Sequence, residues 1–155
     1  GLGDVYKRQA YNGARLAAGQ IEFEDLGQSI DLDSIKQLPI NDSRQEGDTL
    51  IGYIDVLDIR FGSLWTNIPL SYFKENDIHH GDNLIVTIYN RENKVYQNIM
   101  KFVRSFADVN IGEPLVYINS LVNIGVAVNQ NSFSKLYHIG TGNDWRIEIT
   151  KGPTF

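Results

Sequence analysis

The sequence contains no cysteine, only three histidines and one methionine among its 155 residues. Without cysteine, a disulfide framework and any thiolate metal site are excluded, and the composition fits a reducing compartment. No apolar run approaches the roughly 20 residues needed to cross a bilayer, and no apolar signal core stands near the amino terminus. We therefore expect a soluble, cytoplasmic protein that has no membrane partner.

An excess of positive charge is also missing. The formal net charge is −5, and the 14 lysines and arginines are scattered along the chain. Nucleic-acid-binding domains normally carry a basic patch that contacts the phosphates, so we expect no nucleic-acid partner. Hydrophobic residues make up 42% of the sequence and aromatic residues 11%, which is enough for the buried core of one domain.

Complete catalytic motifs are absent as well. The sequence has no G-x-S-x-G, no Walker loop and no G-x-G-x-x-G. His79 and His80 are adjacent, and adjacent residues on a strand point to opposite faces, so they are poorly placed to bind one metal ion. The residues around them are typical of an exposed turn. We predict no metal site and no catalytic residue in this chain.

The chain divides into three segments of different character. Residues 1–9 show no clear periodicity and resemble a translated sequencing-adaptor remnant, so we expect them to be non-native and residue 10 to lie near a truncation point. Residues 10–47 begin with a helix-prone stretch and continue as a polar, turn-rich linker, which indicates the end of a preceding domain. The main domain is expected at residues 48–155.

From residue 48 onward, short runs rich in Val, Ile, Tyr and Thr show the period of two that is typical of strands. Seven such runs separated by turns predict a mainly β fold, an antiparallel β-sandwich or barrel-like domain. Two short helices are predicted at Ser71–Glu75 and Ser132–His138. The predicted strands are Leu50–Val56, Ser63–Ile68, Asn83–Tyr89, Lys94–Val103, Leu115–Asn119, Leu121–Val128 and Asp144–Thr150.

Residues 55–68 combine polar and aromatic side chains where a plain strand would alternate. Asp58 stands just before a Phe61-Gly62 turn, and a carboxylate there can accept hydrogen bonds from a ribose diol. Phe61 and Trp65 offer flat apolar faces to a base. The alternative is a strand–turn–strand in which Asp58 caps the turn and Trp65 lies in the core. Composition alone favours that alternative.

A second polar group follows the strands near the middle of the domain. Asn119-Ser120 separates two predicted strands and Asn129–Asn131 ends the second one, so both clusters are candidates for one end of the sheet. Binding groups often gather on loops at the ends of a rigid scaffold. These residues also suit turns and helix caps, with Asn131 or Ser132 capping the following helix, and their types alone favour this second interpretation.

The order and spacing of four motifs resemble a known family. Asp-x-x-Phe-Gly-x-x-Trp-Thr-Asn-Ile at 58–68 is followed by Phe-Ala-Asp at 106–108, Gly-Glu-Pro-Leu at 112–115 and Tyr-Ile-Asn-Ser at 117–120. Together they are similar to the carboxy-terminal domain of the S-adenosylmethionine hydrolases. That family forms adenosine and methionine and includes the S-adenosylmethionine chlorinases and fluorinases. The resemblance runs from about Ala10 to Ile149.

The resemblance implies a homotrimer that uses S-adenosylmethionine as substrate, with no cofactor. The ligand would lie between the amino-terminal domain of one subunit and the carboxy-terminal domain of its neighbour. Asp58 would hold the ribose hydroxyls, Phe61 and Phe106 would pack on the adenosyl group, and backbone groups near Asn129 and Gln130 would contact the adenine edge. The other implied substrate-binding residues are Ser63 near adenine, Tyr117 and Ser120 at the methionine end, and Trp65 at the side of the pocket.

Two positions depart from the family pattern. Ser63 stands where the family usually has an asparagine that hydrogen-bonds adenine. The shorter side chain implies a bridging water molecule, weaker binding or a different choice of ligand. Leu121 follows Ser120 where the halogenases carry an arginine, so a hydrolase is favoured over a halogenase.

The family's amino-terminal α/β domain, which carries its catalytic Asp, Arg and His, is represented here by at most its last helix, at residues 10–19. We therefore predict that this chain alone is inactive. The alternatives are a non-catalytic β module that serves oligomerisation and the carboxy-terminal domain of a halogenase.

Overall fold

The computed structural model describes residues 5–37 and 39–153, and it divides the chain into two compact units with a boundary after residue 38. In the first unit, no described residue is buried, so this part has no core of its own. Its elements are a π-helical stretch Val5–Gln9, helix α1 Ala10–Ala17, and the 3₁₀ turns Phe23–Leu26 and Leu32–Ser34.

The described residues of the second unit form eight strands, two short α-helices and the 3₁₀ turn Phe106–Asp108. The strands and α-helices are β1 Arg44–Glu46, β2 Thr49–Leu57, β3 Leu64–Pro69, α2 Leu70–Glu75, β4 Asn83–Asn90, β5 Asn93–Phe102, β6 Pro114–Ile118, β7 Asn123–Val128, α3 Phe133–Tyr137 and β8 Gly142–Lys151. The seven predicted strands are present as β2 to β8 and the two predicted helices as α2 and α3, with each end within two residues of its expected position. Strand β1 was not predicted, because its three exposed polar residues show no apolar alternation.

The sheet closes on itself as a seven-stranded barrel in the order β2-β3-β7-β6-β5-β4-β8, with β8 pairing back to β2. This confirms the mainly β, barrel-like fold. One neighbouring pair, β5 with β6, is parallel, although the sequence predicted antiparallel strands. A parallel pair needs a long connection, and residues 103–113 form it outside the barrel. We call these residues the crossover segment.

Inward-facing side chains of the strands form the main core, and each end of the barrel receives a helix. Helix α2 follows β3 and α3 follows β7. Because β3 and β7 are antiparallel neighbours, the two helices lie at opposite ends. Phe73 of α2 and Phe133 of α3 are both fully buried. We refer to the α2 end and the α3 end of the barrel.

The structure also bears on a metal site and on a membrane-spanning segment. His79 and His80 are exposed in the turn that precedes β4, as predicted. In the part of the chain that the structure describes, no three His, Cys, Asp or Glu side chains are grouped to hold a metal ion. Within the same ranges, no helix has the length and apolar character required to span a membrane.

Candidate functional site

An open cavity of about 860 Å³ lies at the α3 end of the barrel. Three parts of the chain line it: the β2–β3 turn at 57–62, Phe106 of the crossover segment, and the stretch 128–135 from the end of β7 into α3, in which every residue except Phe133 contributes. Its size is in the range typical of small-molecule sites. The cavity brings together five of the predicted substrate-binding residues, namely Asp58, Phe61, Phe106, Asn129 and Gln130.

The β2–β3 turn is held tightly by its own backbone. Gly62 N donates to Asp58 O at 2.6 Å, and Asp58 N donates to Ser63 O at 2.9 Å. Asp58 Oδ1 accepts from Arg60 N at 3.0 Å, so Asp58 caps the turn as the structural alternative predicted. Among the described residues nothing bonds to its second oxygen, Oδ2, which therefore remains free for a ligand at the cavity.

Gly62 fixes how this turn meets helix α3. Its φ is +67°, a conformation that side chains other than glycine's rarely adopt. A Cβ at this position would lie 1.9 Å from Ser132 Oγ and 2.8 Å from the Ser132 Cα. Ser132 in turn caps α3, since its Oγ accepts from Lys135 N. The glycine thus allows the turn and the start of α3 to form one continuous rim.

Asn129 holds the crossover segment against the end of β7. It is 9% exposed, and its Nδ2 donates to Val109 O at 2.9 Å. Its backbone N–H donates to Glu113 O and its carbonyl oxygen accepts from Gly112 N, so both backbone groups of Asn129 are already hydrogen-bonded within the protein. Gln130 differs, because it is exposed with a φ of 57° and makes no backbone hydrogen bond to any described residue. Gln130 is therefore the accessible backbone position of the pair.

The two phenylalanines at the cavity differ in exposure. Phe61 is 63% exposed, with the Arg60 guanidinium 5.8 Å from its ring centre. Phe106 is half-buried and meets the Tyr117 ring edge-on at 5.1 Å. It belongs to a small apolar cluster on the outer face of the barrel, built on Val103, Leu115 and Ala127. Phe106 is thus a fixed surface, and Phe61 an exposed one.

Trp65 and Tyr117 lie next to each other on the outer face of β3 and β6. Trp65 Nε1 donates to Tyr117 Oη at 3.0 Å. The alternative that Trp65 is a core residue is wrong, because β3 buries Leu64 and Thr66 on either side of it and leaves Trp65 half-exposed. Ser63, in contrast, is only 2% exposed. It offers an external ligand little surface.

Burial raises the pKa of Tyr117 above its usual value, side-chain hydrogen bonding with Ser63 and Trp65 acts in the opposite direction, and the negative charge of Asp58 adds to the rise. The phenol is therefore protonated at neutral pH. Trp65 and Phe106 contact this tyrosine directly, and Phe106 also lines the cavity. Phe106 thus connects the Trp65–Tyr117 pair with the cavity.

Ser120 lies apart from the cavity. It is exposed in the β6–β7 turn, at the α2 end, where Asn119 Oδ1 accepts from Leu121 N and Asn123 N. The possibility that Asn119-Ser120 and Asn129–Asn131 face one end of the sheet is wrong, whereas the favoured interpretation as turn and cap residues is confirmed for Asn119 and Ser132. The whole length of β7 separates them, because one cluster precedes this strand and the other follows it.

Sequence reasoning missed two basic residues at the cavity, Arg60 and Lys135. Both stand within five positions of residues that were singled out, but no charge pattern marks them in the sequence. With Asp58 they give the cavity both signs of charge.

Comparison with known proteins assigns this arrangement to a family. The model of the SAM hydroxide adenosyltransferase C-terminal domain matches residues 52–146. The chain belongs to this family. The matched residues include the β2–β3 turn, Phe106, Tyr117 and the residues from 128 to 135, so the cavity lies within the SAM hydroxide adenosyltransferase C-terminal domain.

Relatives of this SAM hydroxide adenosyltransferase C-terminal domain include proteins named fluorinase. Those of Actinopolyspora mzabensis and an Actinoplanes species are 29% and 30% identical to it over 92% and 94% of the chain. The alignments cover 47% and 48% of those proteins, so the chain spans about half of their length. An uncharacterized conserved protein from Thermotoga maritima has a similar structure, with a TM-score of 0.71 and 26% identity, over 89% of this chain and 48% of that one.

Proposed function

We propose that the cavity binds the adenosyl group of S-adenosylmethionine, and that this chain is the carboxy-terminal half of an S-adenosylmethionine hydrolase that forms adenosine and L-methionine. The observation that carries the proposal is the convergence of Asp58, Phe61 and Phe106 on one cavity within the matched domain. The relatives are about twice as long as the part that aligns with this chain. An amino-terminal half of corresponding length would supply the residues that position the nucleophile. The whole protein would be a homotrimer.

Each group at the cavity suits one part of an adenosyl ligand. The free oxygen of Asp58 can accept from the ribose hydroxyls, and a charge-assisted hydrogen bond of this kind is stronger than a neutral one. The rings of Phe61 and Phe106 offer faces or edges to adenine. The free backbone groups of Gln130 complement the hydrogen-bonding edge of the base.

The methionine part would extend along the outer face of the barrel toward the α2 end. Tyr117 lies on that face, and Ser120 follows it by three positions, or about 10 Å at the rise of a strand. This path connects the cavity with the residue that the family resemblance assigns to the methionine end.

The reaction is a substitution at C5′ of the ribose. Hydroxide attacks C5′, the C5′–S bond breaks, and sulfur keeps the electron pair, so the products are adenosine and the thioether methionine. Because the sulfonium is already a good leaving group, catalysis consists mainly of orienting the reactants and removing water around the nucleophile. The half described here supplies orientation and affinity, and we expect it to be inactive alone.

A second candidate is the carboxy-terminal half of a halogenase, because the similar curated proteins are named fluorinase. Against it, Leu121 is 62% exposed at the position where the resemblance places the halogenase arginine. An exposed leucine offers no charge to a carboxylate or a halide. The hydrolase therefore remains the preferred proposal.

Calorimetric titration of this chain with adenosine tests the proposal. We expect saturable binding that weakens at least tenfold in Asp58→Asn, which keeps the shape of the side chain and removes its charge. Asp77→Asn is the matched control, since Asp77 is an exposed aspartate of the α2 end with a φ of 53° that asparagine also tolerates. Absence of binding by the unaltered chain would favour an oligomerisation module, and equal binding by both variants would show that the Asp58 carboxylate does not contact the ligand. Release of adenosine from S-adenosylmethionine by this chain would contradict its inactivity.

A further inference from the structure

We propose that the cavity at the α3 end also accepts adenosine 5′-phosphate and binds it more tightly than adenosine, with Arg60 and Lys135 contacting the phosphate. The inference rests on the proposed adenosyl site and adds a class of ligand to it, the adenine nucleotides. A nucleotide bound in this way would compete with S-adenosylmethionine for the cavity.

The two cations at the cavity have no carboxylate partner. Three arginines elsewhere in the domain, Arg44, Arg91 and Arg146, each form an ion pair with a carboxylate. In the part of the chain that the structure describes, no carboxylate forms such a pair with the side chain of Arg60 or Lys135. Both side chains therefore keep their hydrogen-bond donors for an external anion.

The backbone brings the two cations to one part of the cavity. Gly62 O accepts from Ser134 N at 3.1 Å, and this bond joins the β2–β3 turn to helix α3. Arg60 precedes the junction by two residues and Lys135 follows it by one, and both line the cavity. Because both side chains are long and flexible, they can reach a single anion bound beside the junction.

Two hydroxyl groups lie at the same junction and line the cavity with the cations. Ser132 Oγ and Ser134 Oγ are 3.2 Å apart, and one of them donates to the other. Ser132 Oγ also accepts from Lys135 N. One hydroxyl proton of the pair is therefore left for an external acceptor. Together with the guanidinium and ammonium groups it gives this part of the cavity several donors, which suits the several acceptor oxygens of a phosphate.

Asp58 determines where on the nucleoside the phosphate can be. Among the described residues that line the cavity, Asp58 alone carries a carboxylate, and in the proposed complex it contacts the ribose 2′ and 3′ hydroxyls. A phosphate on either of these oxygens would lie beside a like charge and be repelled. A phosphate on O5′ avoids that charge. The methionine carboxylate is several bonds further from C5′ and follows the outer face of the barrel, so it is not the anion at the junction.

Calorimetric titration of this chain with adenosine, adenosine 5′-phosphate and adenosine 3′-phosphate tests the inference. We expect the 5′-phosphate to bind about tenfold more tightly than adenosine at low salt, as two exposed charge contacts allow, and the advantage to shrink as salt is added. The 3′-phosphate should bind no more tightly than adenosine. Because the net charge of the chain is −5, an effect of total charge alone would weaken the binding of both nucleotides.

Substitutions assign the preference to the two cations. Arg60→Gln and Lys135→Gln should each lower the ratio of the 5′-phosphate affinity to the adenosine affinity about threefold, and the double variant should abolish the preference. The ratio cancels any effect of a substitution on binding of the nucleoside itself. Lys74→Gln is the matched control, since it removes the same charge from an exposed position of α2 at the other end of the barrel. Thermal unfolding of each variant shows that it is folded.

The outcomes separate this inference from the proposed function. If adenosine binds and the 5′-phosphate binds no more tightly, or keeps its advantage in the double variant, the phosphate contact alone is overturned. Binding of the 5′-phosphate that does not displace adenosine overturns it too, because the phosphate would then be held outside the cavity. If the unaltered chain binds neither ligand, the proposed adenosyl site fails and the phosphate contact fails with it.

Discussion

A short helix with a buried phenylalanine packs into each end of the barrel, but the loops around the two ends differ. At the α2 end, Phe73 meets Phe102 edge-on at 4.9 Å, and His80 stacks on Phe102 at 4.2 Å. At the α3 end, Phe133 lies 4.9 Å from Tyr96 and 4.7 Å from Tyr137. Each end thus has a short helix whose buried phenylalanine joins an aromatic group.

Only the α3 end combines this closure with converging loops. The β2–β3 turn, the crossover segment and residues 128–135 meet there around the cavity. The turns of the α2 end, at 77–82 and 119–122, are largely exposed. We therefore expect the packing at both ends to contribute to the stability of the fold, and ligand binding to depend on the loops of the α3 end alone. The following substitutions test that division.

The largest effects are expected for Phe73→Ala and Phe133→Ala. Each removes a fully buried aromatic side chain, so each should lower the free energy of unfolding by about 3–5 kcal/mol. Chemical denaturation measures this loss. Under conditions where both variants are folded, adenosine binding should weaken only in Phe133→Ala, because Ser132 and Ser134 on either side of it line the cavity. Equal weakening of adenosine binding in Phe73→Ala and Phe133→Ala would contradict the proposed difference between the two ends of the barrel.

Gly62→Ala and Gly81→Ala form a second pair, with intermediate effects. Both glycines have positive φ, at +67° and +102°, but a Cβ collides with Ser132 only at Gly62 and meets nothing within 4 Å at Gly81. We expect losses of about 2–4 kcal/mol for Gly62→Ala and about 1–2 kcal/mol for Gly81→Ala in denaturant unfolding. Adenosine binding should fall in the first variant alone. A Gly62→Ala protein with normal affinity would show that the rim is not held by this contact.

The smallest effect concerns Tyr96, in the aromatic group of the α3 end. Its hydroxyl is buried and makes no hydrogen bond of acceptable geometry with the described residues, so Tyr96→Phe should raise stability by about 1 kcal/mol. Burial raises the pKa of Tyr96 from 10.0 to about 12.

The unfolded chain therefore loses this proton at a lower pH than the folded protein does. The contribution of Tyr96 to stability is full below pH 10 and is lost as the pH rises from 10 to about 12. Denaturation midpoints measured across this window should decline less steeply in Tyr96→Phe. Parallel declines in the two proteins would contradict the assignment.

The strands were predictable because each has a local signal, the alternation of apolar and polar residues. Strand β1 lacks that signal, because Arg44, Gln45 and Glu46 are all exposed and their pairing with β2 is set by tertiary structure. The parallel pairing of β5 with β6 could not be predicted either. The path of the crossover segment decides the direction of β6, and the residue types of the strand do not report that path.

The candidate site shows the same limit. Its motifs stood out in the sequence, and the turn and cap roles of Asp58 and Ser132 were among the interpretations considered. The separation of Ser120 from the cavity and the burial of Ser63 depend on strand register, which residue types do not report. The hydrogen bond from Trp65 to Tyr117 joins positions 52 residues apart. It depends on the order of the strands in the sheet, which the sequence pattern does not report.

The most direct test of the central claim is a map of backbone ¹⁵N chemical-shift changes on addition of adenosine. Binding at the rim of the α3 end predicts saturable changes at residues 58–62, at Phe106 and at residues 129–132, with none in the turn at 77–82 of the α2 end. Saturable changes that cluster at the α2 end, or no changes at a concentration of adenosine that saturates an intact relative, would contradict the account.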